Sequence, residues 1–239
     1  MISVLEEAFG KWKSLNTEPP HFPDTEVKRK GSINLIIREN ANQTKIRMGH
    51  ISFKLNRDNP YNKEYVALLV LDQLLGGQAF TSRLKKKIRS ELGLSYNVFS
   101  MFWTSCYYPG SFVVSASTRS DTTIKTIQCI LEELRKIREE PIQEKEIENV
   151  KNFLMNSYMS RIDSPEKIIA RLLYYEYEGL PLDYFQFIFK TLPSIKANDI
   201  REVARKYIDI DSLCILVIGN PRNFDKPLST LGKVNILDK

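Results

Sequence analysis

LLGGQAFTSRLKKKIRSELGLSYNVFS, residues 74–100, contains two glycine breaks and a change of periodicity. Gly76-Gly77 opens a basic amphipathic helix with Phe80, Leu84 and Ile88 at helical spacing. Gly93 marks where that helix stops, and an aromatic, β-branched run starts at Ser95. A helix–glycine–strand corner of this kind turns Arg89 and Tyr96, seven residues apart, toward one cleft. Arginine supplies a fixed cation with a planar donor fork, and a tyrosine hydroxyl adds a neutral donor. Together they suit a carbonyl oxygen that becomes an oxyanion. The same spacing also fits a plainer reading. In that reading Arg89 is one more cation on a solvated face that holds Lys85, Lys86 and Lys87, and Tyr96 is an ordinary strand aromatic.

Working outward, residues 2 to about 15 read as an amphipathic helix with Val4, Leu5, Ala8, Phe9, Trp12 and Leu15 on one stripe. A polar linker with Pro19, Pro20 and Pro23 follows. Ser32–Arg38 and Thr44–Leu55 read as strands around a polar ENANQ turn, the second with a candidate bulge at Gly49. Tyr61–Leu75 is helical. Tyr96–Ser105 and Ser111–Thr118 form a hairpin through Tyr108-Pro109-Gly110. Asp121 is placed to cap a helix reaching Glu139. Helices follow to about Arg161, from Ser164-Pro165, over Leu182–Leu192 and over Lys196–Tyr207. Ser212–Gly219 is a buried-looking strand, and the rest is a tail of little periodicity. This order implies an α+β fold, an antiparallel sheet with helices packed on one face. The expected divisions are 1–31 (terminal helix and linker), 32–222 (the main domain) and 223–239 (irregular tail).

With 42% hydrophobic residues, 12 Phe and 11 Tyr, the chain has ample material for a core. No apolar run is long enough to span a membrane, and the N-terminus lacks the apolar core of a secretory signal. Cys106, Cys129 and Cys214 lie far apart in apolar segments. That pattern favours reduced, buried thiols and a reducing compartment such as the cytoplasm. The net charge of +6 raises nucleic acid as a partner. Most basic residues alternate with acids, however, and the dense run Arg83–Arg89 has no interleaved aromatics, so no nucleic-acid partner is expected. His21 and His50 lack a helical i, i+4 partner and read as structural, leaving no metal-ligand set in the chain.

Leu74-Leu75-Gly76-Gly77, Thr81-Ser82-Arg83-Leu84, Ile88 to Tyr96 and the late strand Ile215 to Asn220 resemble the C-terminal half of the M16 metallopeptidase family, which includes processing-peptidase and insulinase-like enzymes. The resemblance covers roughly residues 43–220. It implies a LuxS/metallopeptidase-like half that pairs with an N-terminal half, in the same polypeptide or as a separate subunit, around an unfolded peptide. The partner half would carry the inverted zinc motif H-x-x-E-H and the zinc. By the resemblance, Arg89 and Tyr96 are the second half's catalytic contribution. Residues 2–15 resemble the last helix of a first half, so the chain reads as a fragment of a longer protein. This chain has no H-x-x-E-H and is expected to be inactive alone. The implied function is the substrate-binding, zinc-less half of a zinc endopeptidase. The alternative is a catalytically inactive scaffold or peptide-binding subunit of the same fold.

Overall fold

The computed structural model describes residues 2–13, 30–77 and 81–238. Phe80, His21, Leu15 and the linker prolines lie outside the described residues. Six strands, β1 (Ser32–Ile37), β2 (Gln43–Ile51), β3 (Ser95–Trp103), β4 (Ser111–Arg119), β5 (Cys214–Gly219) and β6 (Val234–Ile236), form one sheet in the order β3-β4-β2-β5-β1-β6. The helices are α1 (Ile2–Phe9), α2 (Lys63–Leu75), α3 (Thr123–Glu139), α4 (Glu144–Met159), α5 (Pro165–Glu178), α6 (Tyr184–Thr191) and α7 (Ala197–Tyr207).

The α+β class stands, and pairing is antiparallel through β3-β4-β2-β5. The sheet departs from the expectation at its far end, where β1 pairs in parallel with β5 and β6. Geometry forces the first of these pairings. β1 and β2 run in opposite directions across the polar turn, and β5 inserts between them. A strand in that slot must be antiparallel to one neighbour and parallel to the other. The tail read as irregular supplies β6.

Alternation along the strands buries one face of the sheet. Thr44, Ile46 and Met48 of β2 are buried while Lys45 and Arg47 are exposed, and Phe112, Val114 and Ala116 of β4 repeat the pattern. Helices α2, α3, α4 and α7 bury Leu71, Ile127, Val150 and Val203 into the same core. Cys214 corrects the expectation of buried thiols. It is exposed because it starts β5 on the open face, whereas Cys106 is buried and Cys129 half-buried. Gly49 carries no bulge, since β2 pairs with β4 without a break from Gln43 to Ile51. A Cβ there would instead lie 2.4 Å from the Phe112 carbonyl. Asp121 does not cap α3 but forms an ion pair with Arg119. The cap comes from the tail, where the Asp225 carboxylate accepts the Ile124 and Lys125 amides at 2.8 and 3.0 Å.

Two helices keep their apolar faces outside this core. None of α1 is buried. On α5, Ile168, Ile169, Leu172 and Leu173 stay exposed, and only Tyr175 and Glu178 are buried. Glu178 anchors the end of α5 by accepting the Cys106 amide at 2.7 Å.

Candidate functional site

The corner forms where α2 ends against β3. Gly76 allows this close approach, because a Cβ there would lie 2.5 Å from both the amide nitrogen and Oγ of Ser100. The Ser100 amide donates to the Gly76 carbonyl at 3.0 Å. Two residues further along, the Phe102 amide donates to Asp72 Oδ1 at 3.1 Å. These two outward amides of the edge strand are thereby occupied by the end of α2, which closes the edge to strand addition at those positions.

After residues 78–80, Arg83 forms a two-pronged bond to Glu146 of α4, at 2.8 and 3.3 Å. The basic segment then differs from the regular helix expected. Residues Lys85–Glu91 are π-helical, with Leu92 N–H bonded to the Lys87 carbonyl. Segments of this kind are rare and concentrate at functional sites. Leu84 and Ile88 are fully buried, as their spacing implied. Gly93 adopts φ +61°, and the Leu94 amide returns to the Ile88 carbonyl at 2.8 Å. This closure resembles a Schellman cap widened by one residue. Thr118 Oγ1 donates to the Leu94 carbonyl at 2.6 Å and fixes the strand's entry.

β3 opens with a bulge. Ser95 faces Thr118 and Asn97 faces Ser117, so Tyr96 is the extra residue and turns outward, 82% exposed. The Arg89 guanidinium lies over the Tyr96 ring, 4.5 Å from its centroid. The two residues selected from sequence are therefore brought together on one solvent-facing corner. Their contact is guanidinium against ring face, which leaves the phenolic oxygen at the ring's outer end. Lys85 and Lys87 of the run have separate partners. Lys85 donates to the Gly77 carbonyl at 2.7 Å, and Lys87 pairs with Glu91. Burial, and secondarily Arg89, hold the Lys85 ammonium below its usual range.

Beside the corner lies a cleft of about 570 Å³ between the end of α2, β3 and α4. Asp72 stands in its wall, and sequence reading passed over it. Burial pushes its carboxyl up to about 7, with the Phe102 amide pulling the other way. The signal was present, since Asp72 is the lone charged residue in the run Val66–Leu75. His50 is held at both ring nitrogens. Its Nε2 accepts the Asp209 amide at 3.1 Å, which leaves the proton on Nδ1 to donate to the Ile51 carbonyl at 3.0 Å. Among the described residues no three His, Cys, Asp or Glu converge as a metal site. No helix there is long and apolar enough to cross a membrane.

Residues 1–154 match the family model described as the peptidase M16 inactive domain. The chain is 24% identical over 151 residues to the non-peptidase homologue YmxG of Helicobacter pylori, covering 62% of this chain and 34% of that protein. It is 26% identical over 174 residues to the uncharacterized zinc protease YmxG of Bacillus subtilis, covering 71% of this chain and 39% of that one. The chain thus spans well under half the length of these curated relatives. The crystal structure of a peptidase M16 inactive domain from Pseudomonas fluorescens superposes with a TM-score of 0.75 at 21% identity, over 84% of this chain and 46% of that one. The family model covers the glycine turn, the Arg89–Tyr96 corner and strands β1 to β4, and the chain belongs to the M16 peptidase family as an inactive-type domain.

Proposed function

We propose that this chain is the zinc-less half of an M16-type assembly, holding an unfolded peptide or scaffolding a partner without cutting a peptide bond itself. The observation that carries this reading is the match to the inactive-domain model. The description of the Helicobacter relative as a non-peptidase homologue points the same way. The chain's own sequence offers no H-x-x-E-H, so any zinc would sit in a partner half. Such a half, in the same polypeptide or a separate subunit, would suit the exposed apolar faces of α1 and α5. In this reading residues 1–31 belong with that half, 32–222 form the working domain, and the three free thiols suit a reducing compartment.

The Arg89–Tyr96 pair favours a second reading. A zinc-bearing half would supply metal-activated water. Arg89 and Tyr96 would then supply charge and a phenolic donor to the oxyanion of a bound peptide. The test is peptide retention and cleavage by the chain alone, and again with a zinc-loaded H-x-x-E-H half shown to bind it. Retention without cleavage in both arms is expected. Cleavage in the mixture alone moves the protein to the second reading, and cleavage by the isolated chain refutes both.

A further inference from the structure

The cleft beside β3 does not end at α4. It shares Ser160 and Arg161 with a second hollow of about 350 Å³ against α5, lined also by Lys167, Arg171 and Tyr174. Three cations therefore meet where α4 passes into α5. Lys167 is neutralised locally by Asp163 at 2.7 Å. The two arginines are not: among the described residues neither has a carboxylate within ion-pair distance. Arg161 lies 4.5 Å over the Tyr158 ring, and Arg171 lies 6.0 and 5.9 Å from the Tyr174 and Tyr175 rings. Aromatic faces thus hold two like charges in place. The Arg171 Nε–H is buried with no hydrogen-bond partner.

We infer that this trough binds a carboxylate of an extended peptide, with Arg161 and Arg171 as its counter-charges. This rests on the peptide-binding reading above and names the chemistry of the peptide. The planar forks suit a carboxylate's two oxygens, and the aromatic walls of Tyr158, Phe153 and Phe99 suit flanking apolar side chains. The ligand chemistry has two sources, an Asp or Glu side chain or the peptide's C-terminus.

The test is fluorescence anisotropy at low salt with labelled, unstructured peptides. One contains glutamates and one has glutamine in their place, and each is made with a free and an amidated C-terminus. The glutamate peptide, the free-carboxylate form or both bind tighter by on the order of tenfold, the size of one charge-assisted bond. Arg171→Gln and Arg161→Gln abolish the preference, Arg161→Lys retains part of it, and Arg222→Gln, remote on the surface, leaves it intact. Arg161 is exposed, so its variant carries the test if Arg171→Gln fails to fold. Equal affinity for all four peptides overturns the inference and leaves peptide binding standing. No binding of any peptide overturns both. Displacement of the glutamate peptide by lower concentrations of an oligonucleotide or anionic vesicles assigns the cations to phosphate and also overturns it.

Discussion

Replacing Asp72 with asparagine tests the electrostatics of the cleft directly. Burial raises the carboxyl from 3.8 to about 7, so the folded state holds the proton more tightly than the unfolded chain. The sign follows from this. Asp72 costs nothing at low pH, where both states are protonated. It destabilises the fold progressively as pH rises from about 4 to about 7. Three pH units at about 1.4 kcal/mol each give a ceiling of about 4 kcal/mol at pH 8. One side of the carboxylate meets the open cleft, so water relieves part of this, and about 2 kcal/mol is the expected effect. Asparagine keeps the carbonyl that accepts the Phe102 amide and cannot ionise. Urea unfolding of wild type and Asp72→Asn at pH 4.5, 6 and 8 should show curves that nearly coincide at the lowest pH. They should diverge by about 2 kcal/mol at the highest, with the variant the more stable. Parallel pH profiles would refute the reasoning, because they would mean that Asp72 titrates like an ordinary surface acid.

Five other substitutions address the scaffold and the corner. Gly76→Ala places a methyl 2.5 Å from Ser100 and should destabilise by about 1–3 kcal/mol in denaturant titration, with faster amide exchange at Ser100 and Phe102. Asp225→Ala removes the cap that the tail supplies to α3. It should cost about 1 kcal/mol, while Asp121→Ala, an exposed pair partner, should cost almost nothing. If a zinc-loaded partner half does yield cleavage, Arg89→Ala and Tyr96→Phe should each slow it by on the order of a hundredfold. Both should leave the melting temperature of this chain unchanged, and wild-type rates in both variants would remove the pair from the chemistry.

Most of the element order was legible because it rests on short-range periodicity. The alternation of Thr44, Ile46 and Met48 and the Ser164-Pro165 helix start are written in neighbouring residues. What failed depended on distant ones. Nothing in Val234–Ile236 announces a strand until β1 is in place to pair with it. Asp121 had every local mark of a cap, yet Asp225, a hundred residues on, holds the position. Of the site, Arg89 and Tyr96 were legible as a pair, while the hydrogen bond that holds Asp72 to Phe102 and the junction of Arg161 with Arg171 exist only in the folded chain.

The irregularities at the corner explain how Arg89 and Tyr96 come into contact. Ile88 is fully buried and fixes the rotation of the basic segment. A regular α-helix closing with a standard Schellman cap would return the Leu94 amide to the carbonyl of residue 89. The π-helical turn adds one residue to the circuit, so that amide bonds to Ile88 instead. The bulge adds one residue to the strand and turns Tyr96 outward. The two insertions act on opposite sides of Gly93, and the result is a guanidinium stacked on the phenol ring. Removing either insertion rotates one partner of the pair by roughly one residue, about 100° on a helix or 180° on a strand. Two departures from regular structure thus jointly set one contact. The chemistry open to this corner is not confined to hydrolysis: a cation stacked against an exposed phenol is also a rigid donor platform for a carbonyl oxygen.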